Sequence, residues 1–128
     1  MENNEMTERE MLEFAAKAIG ITLKPMEVKN VEFMGDDRLI GFMTDPSQWE
    51  RGWFDPLTDD GDALRLAVKL GIGFRHRAGG DGSTYPDLVT VFTGSFDLTV
   101  YVSQVGDEFS ATRLAITKAA AEIGKRMA

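Results

Sequence analysis

The chain has no cysteine and a single histidine, His76. Without cysteine it can form neither a disulfide framework nor a thiolate metal site. One histidine also excludes the multi-histidine sites of zinc proteases. No apolar run approaches the ~18–20 residues of a membrane span, and the acidic N-terminus lacks the regions of a signal peptide. We therefore expect a soluble protein in the cytoplasm, with no membrane partner and no cofactor.

Basic residues are also in deficit, with 14 Lys and Arg against 21 Asp and Glu and a net charge of −7. The sequence pI is near 4.7. Because nucleic-acid phosphates would repel such a surface, no direct nucleic-acid binding is expected. The 128 residues are 43% hydrophobic and 27% charged, which are ordinary globular values. We expect one domain over residues 1–128, with residues 1–5 frayed.

Capping signals and apolar periodicity predict three helices. Thr7 and Glu10 have the spacing of a capping box, and Gly20 follows the last apolar position of the first helix. Asp107 or Ser110 can cap the last helix, whose apolar stripe is only about 100° wide, so we expect it on the surface. The predicted bounds are residues 7–19, 59–70 and 109–127.

The middle helix has the widest apolar face. Thr58 or Asp59 can cap it, and Gly71 can end it. Its apolar positions cover about 200° of the helix. They are Ala63, Leu64, Leu66, Ala67, Val68 and Leu70. An arc this wide predicts the core helix of the fold, pressed against a sheet and flanked by a second element.

Segments of period two predict about five strands. Residues 23–43 are typical of a hairpin, and residues 73–78 of a short strand. Residues 87–93 and 96–105 are predicted to pair through a two-residue turn at Gly94-Ser95. The order of elements favours an α/β (α+β) sandwich, in which three helices cover a largely antiparallel sheet.

Three segments resemble a known family. They are LEFAAKAIGI (12–21), WFDPLTDDGDALRLAVKLGI (53–72) and ATRLAITKAAAEIGKRM (111–127). In this order they are similar to small phage- and prophage-encoded proteins grouped as the phage ABA sandwich domain family. The resemblance implies an α/β sandwich and a location in the cytoplasm of an infected bacterium. It implies no activity and no catalytic residues. This chain departs from the shorter members in a longer loop with both tryptophans, residues 45–55, which we call the tryptophan loop. It also departs from them in its glycine-rich segment 78–86.

The tryptophan loop suggests a binding function. Its aromatic and acidic residues are Trp49, Trp53 and Phe54 beside Asp45, Glu50 and Asp55. The aromatics either fold back as a lid on the core or form apolar anchors with a charged rim. We hypothesise a non-catalytic, protein-binding phage accessory protein that recognises a host or phage protein through residues 45–55. The alternative is an acidic surface that mimics DNA and occupies a host nucleic-acid-binding protein.

Four carboxylates, Asp55, Asp59, Asp60 and Asp62, offer an enzymatic alternative, a metal-dependent hydrolase. A calcium loop aligned on Gly61 would place Pro56 and Ala67 at its end ligand positions, so that pattern fails. Helix capping explains the same acids without a metal. We therefore predict no metal site, and we favour a function other than catalysis.

His76 lies between Arg75 and Arg77 on the predicted strand at 73–78. We expect its side chain to point outward, although an acid/base pair with a carboxylate is possible in principle. The Arg-His-Arg triplet is too short to form a nucleic-acid patch. The glycine-rich residues 78–84 lack the Gly-Lys-Ser/Thr ending of a phosphate loop, so a hairpin loop is expected there.

Overall fold

The computed structural model describes residues 6–24, 42–49, 52–79 and 86–127. The described helices are α1 (Glu8–Ile19), α2 (Asp60–Leu70) and α3 (Glu108–Arg126), and the strands are β1 (Phe42–Met43), β2 (Trp53–Phe54), β3 (Gly73–Arg77), β4 (Leu88–Phe92) and β5 (Asp97–Tyr101). The predicted α+β class, with three helices and about five antiparallel strands, is confirmed. Several sequence predictions concern residues outside these ranges. They are the fraying of residues 1–5, most of the hairpin at 23–43, Glu50 and residues 80–85 of the glycine-rich segment. None of the described helices could cross a bilayer.

The described strands divide between two antiparallel sheets. β1 pairs with β2, and the second sheet has the order β3-β4-β5. The turn after β4 lies at Gly94-Ser95 as predicted, since the Thr93 amide donates to the Phe96 carbonyl at 3.0 Å. β5 ends at Tyr101 and continues as a 3-10 turn over Val102–Gln104, so the predicted strand to residue 105 was too long.

Local capping chemistry sets the start of each helix. Thr7 and Glu10 form the predicted capping box, in which the Thr7 hydroxyl accepts from the Glu10 amide at 3.1 Å. Asp59 caps α2 by accepting from the Asp62 amide at 2.8 Å. Asp107 caps α3 by accepting from the Ser110 amide at 2.7 Å. The expected start of each helix is thus confirmed to within a residue.

α3, rather than α2, lies at the centre of the fold. It packs against α1, α2, β4 and β5. Its buried face is made of small residues, including Ala111, Ala115, Ala119, Ala120, Ala121 and Gly124. A Cβ at Gly124 would lie 1.9 Å from the Phe14 carbonyl oxygen, so the backbones of α1 and α3 are in close contact there. The prediction of a surface position for α3 is wrong because alanines bury little area yet permit this close approach.

α2 is only partly covered, which corrects its assignment as the core helix. It buries Ala63, Leu66 and Ala67, chiefly toward α3. Leu64 and Val68, counted in the same apolar arc, remain 55% and 72% exposed. The arc is wide because one part contacts the core and another part faces solvent.

The three-stranded sheet packs one face on α3. Val89, Val91 and Val100 on that face are at most 3% exposed. On the edge strand β3, Phe74 lies opposite Val91 and His76 lies opposite Val89. Since residues directly opposite one another share a face, Phe74 and His76 lie on the helix-covered side of the sheet. Both are nevertheless exposed, so the sheet extends past its helical cover at β3.

Candidate functional site

The tryptophan loop is mainly a lid on the core. Trp49 is 2% exposed and Phe54 is fully buried, and their rings meet edge to face with centroids 5.2 Å apart. Trp53 is half-buried, Asp45 is exposed and Asp55 is buried. Two of the three aromatic residues considered as anchors therefore pack in the core, and the role of this loop as the recognition surface stays a prediction.

Asp62 is the polar centre beneath this lid. Its Oδ1 accepts from the Trp49 indole N–H at 3.0 Å and from Arg65 Nη1 at 3.1 Å. Its Oδ2 accepts from the Asp55 amide at 2.8 Å. The side chain is fully buried, so these bonds hold the loop to the start of α2. The sequence analysis considered Asp62 as a candidate metal ligand or a capping acid and missed this role.

The four candidate metal ligands do not converge. Asp59 caps α2, Asp62 holds the loop, and Asp60 forms an ion pair with Arg113 at 2.5 Å. In the described segments, no group of three acidic or histidine side chains is arranged to hold a metal ion. The arrangement therefore gives no support to the metal-dependent hydrolase alternative.

Asp55 is the least satisfied of these carboxylates. It is 7% exposed, the Thr58 hydroxyl donates to its Oδ2, and its Oδ1 has no hydrogen-bond partner. Burial raises the pKa of Asp55 to about 6, with hydrogen bonds from Thr58 opposing the shift and the nearby Asp62 adding to it. This buried carboxylate therefore affects stability.

An apolar groove of about 510 Å³ lies between α2, β3 and α3. We call it the α2–β3–α3 groove. Its walls are Leu64 of α2, Phe74 of β3 and Phe109 of α3, which are 55%, 46% and 63% exposed. Buried Ala63 and Ile116 also line it. Three large apolar side chains from three different elements thus face one concave site.

One end of the groove carries a fixed cation. Arg113 Nη1 pairs with Asp60, and its Nε donates to the Leu57 carbonyl at 3.0 Å. Its Nη2 donates to the Ser110 hydroxyl at 3.0 Å. These bonds use several of the guanidinium donors, which orients Arg113 as part of the groove wall.

The histidine–carboxylate pair considered in the sequence analysis is present. His76 Nε2 lies 2.5 Å from Asp87 Oδ1, and His76 also lines the groove. Such a pair could orient an imidazole for base catalysis. However, the Thr112 hydroxyl in the groove donates to the Glu108 carbonyl at 2.7 Å, so it is not directed at His76.

Sequence reasoning missed this groove because it assigned Leu64 to the apolar face of the core helix. The available signal was the 200° arc of α2, which is wider than one packing contact can cover. The resemblance to the phage ABA sandwich domain family stays a prediction. No protein-family model matches the chain, and neither a curated protein nor a solved structure matches it.

Proposed function

We propose that this chain is a non-catalytic protein-binding module whose α2–β3–α3 groove receives apolar side chains of a partner protein. The observation that carries the proposal is the joint exposure of Leu64, Phe74 and Phe109 around one concavity. Covering the exposed part of a side chain such as Phe109 is worth ~1–2 kcal/mol. Three such anchors inside a polar rim have the composition of a binding hot spot.

The polar groups at the groove favour recognition over chemistry. Arg113 is held by Asp60, Ser110 and the Leu57 carbonyl, and His76 is held by Asp87. Fixed polar groups around apolar anchors orient a partner at little cost in side-chain entropy. The family resemblance supports an accessory role in a phage-infected bacterium, with a host or phage protein as the partner.

Affinity capture with matched variants tests this proposal. The immobilised chain would be exposed to bacterial lysate as wild type, Phe109→Asp and Val68→Asp. Val68 is a fair control because it is 72% exposed and lies on α2 outside the groove. We expect a protein that is retained by the wild type and by Val68→Asp but lost with Phe109→Asp. Circular dichroism would verify that both variants fold.

The captured protein would then be purified and titrated against all three chains. We expect Kd to rise at least tenfold for Phe109→Asp and less than twofold for Val68→Asp. Equal affinity for all three chains would contradict the groove. The acidic DNA-mimic alternative predicts a partner that ignores Phe109→Asp and is released steeply between 50 and 200 mM salt.

A further inference from the structure

We propose that the partner segment is an extended strand that pairs with β3 and alternates acidic with apolar residues. This inference rests on the proposed function and names the chemistry of the partner. It is carried by three observations on β3. They are an outer edge that no described strand covers, the direction of its peptide groups, and the separation of its charged and apolar side chains.

β3 lies at the edge of the three-stranded sheet, and all five of its residues are exposed. Within the segments that the structure describes, no strand pairs with its outer side. Such an edge presents unpaired N–H and C=O groups and is a template for strand addition. The edge therefore offers backbone hydrogen bonds directly beside the groove.

Two backbone hydrogen bonds show which peptide groups reach that edge. The Thr93 amide donates to Phe96 at 3.0 Å, and the Val102 amide donates to Asp87 at 2.9 Å, so residues 87 and 93 direct their peptide groups toward β5. Because directions alternate along a strand, the β4 residues whose peptide groups face β3 are Leu88, Thr90 and Phe92, and their register partners are, in the same order, Arg77, Arg75 and Gly73. The peptide groups of Phe74 and His76 consequently point to the outer edge of β3.

Side chains on β3 separate by face. Phe74 and His76 line the groove. Arg75 and Arg77 line a different depression, on the other face of the sheet, with Thr90 and Phe92. An added strand would place alternate residues over the groove and the others beside the two arginines. Apolar residues fit the first position and carboxylates the second, since Arg75 places a cation there and β3 carries no anion.

A second copy of this chain fits this edge poorly. Pairing β3 with another β3 would bring Arg75 and Arg77 of both copies onto one face of the joined sheet. Like charges across neighbouring strands destabilise pairing. The acidic groups at the groove, Asp60 and Glu108, lie on the helix-covered side, so they would not meet the carboxylates of an alternating strand.

Synthetic peptides test the pattern directly. The probe is the labelled, end-blocked heptapeptide Glu-Leu-Glu-Leu-Glu-Leu-Glu, whose ~23 Å length spans β3. Its controls are the Lys-Leu alternating peptide and the isomer Glu-Glu-Leu-Leu-Leu-Glu-Glu. By fluorescence anisotropy we expect saturable binding of the probe, at least tenfold tighter than either control. Arg75→Glu should reverse the preference between the acidic and basic peptides. Equal binding of all three peptides would overturn the proposal.

Backbone methylation of the probe tests strand pairing without altering the protein. Phe74 and His76 direct their peptide groups to the outer edge of β3. An antiparallel probe would therefore turn its leucine amides toward β3, and a parallel probe its glutamate amides. We expect N-methylation of either the leucine amides or the glutamate amides, but not of both, to weaken binding at least tenfold. Methylation of the other set should weaken binding less than twofold. Equal effects of the two sets would contradict strand addition.

The two proposals fail separately. If the captured protein depends on Phe109 but the alternating probe does not bind, the strand inference is wrong and the groove function stands. If the captured protein ignores Phe109→Asp, the groove function is wrong whatever the peptide does. A dimer of the free chain in analytical ultracentrifugation that the probe fails to dissociate would assign the edge to a second copy and overturn the inference.

Discussion

Replacing Asp55 by Asn should change how stability depends on pH. The Asp55 carboxyl is buried with Oδ1 unpaired, and burial raises its pKa from the ordinary 3.8 to about 6. The folded state therefore binds this proton more tightly than the unfolded state does. Its stabilising contribution is complete below pH 4 and is lost as the pH rises through about 6. Asn is isosteric and does not titrate, so the variant lacks this loss.

The size of the effect follows from the shift. A difference of about 2 pH units corresponds to ~3 kcal/mol at 1.36 kcal/mol per unit. The amide of Asn can keep an acceptor toward the Thr58 hydroxyl, but its NH₂ group would enter the place of a buried, unpaired oxygen. The buried NH₂ group would therefore destabilise the variant by ~1–3 kcal/mol, by the same amount at every pH. The informative quantity is therefore how the stability difference between variant and wild type changes with pH.

Urea denaturation followed by tryptophan fluorescence, from pH 4 to pH 8, measures this difference. We expect the variant to gain ~3 kcal/mol relative to the wild type across that range. Asp45→Asn is the control, because the hydrogen bond from the Ser47 amide lowers the pKa of that exposed carboxyl. Its stabilising contribution is lost only as the pH falls below the ordinary 3.8, so its stability difference should change little between pH 4 and pH 8. A flat difference for Asp55→Asn would refute the reasoning.

Two further predictions concern packing, and both are checked by chemical denaturation. Gly124→Ala should destabilise the fold by ~1–3 kcal/mol, because the new methyl group would meet the Phe14 carbonyl, whereas Gly94→Ala, with open space around it, should change stability little. Leu66→Ala should cost ~2–5 kcal/mol because Leu66 is fully buried, and Val68→Ala on the exposed part of α2 should cost less than ~0.5 kcal/mol. Losses of equal size at Leu66 and Val68 would contradict the observed packing of α2.

Local chemistry made the ends of the elements predictable. Thr7, Asp59 and Asp107 act through bonds to residues three positions away, so their roles are visible in sequence. The turn at Gly94-Ser95 is local in the same way. These short-range signals were enough for the fold class and for most element bounds.

Short-range signals could not predict which helix lies at the centre of the fold. Apolar periodicity gives most weight to large side chains, so it predicted α2 as the core helix. α3 is central instead because Gly124 and the alanines of α3 let the backbones of neighbouring elements approach closely. The candidate site depends on similar long-range facts. Register across β3 and β4 brings His76 to Asp87, and tertiary packing brings Phe109 to Phe74. Nothing in the spacing of these residues along the chain indicates that they lie together in the fold.

Site-specific photo-crosslinking tests the central claim most directly. The photoreactive residue benzoylphenylalanine would replace Phe109 in one chain and Val68 in another, and each would be irradiated with the purified partner. We predict a crosslinked complex from position 109, in the groove, and none from position 68. Mass spectrometry should find the adduct in an extended segment of the partner. Crosslinks of equal yield from both positions, or from position 68 alone, would contradict the assignment of the groove as the binding surface.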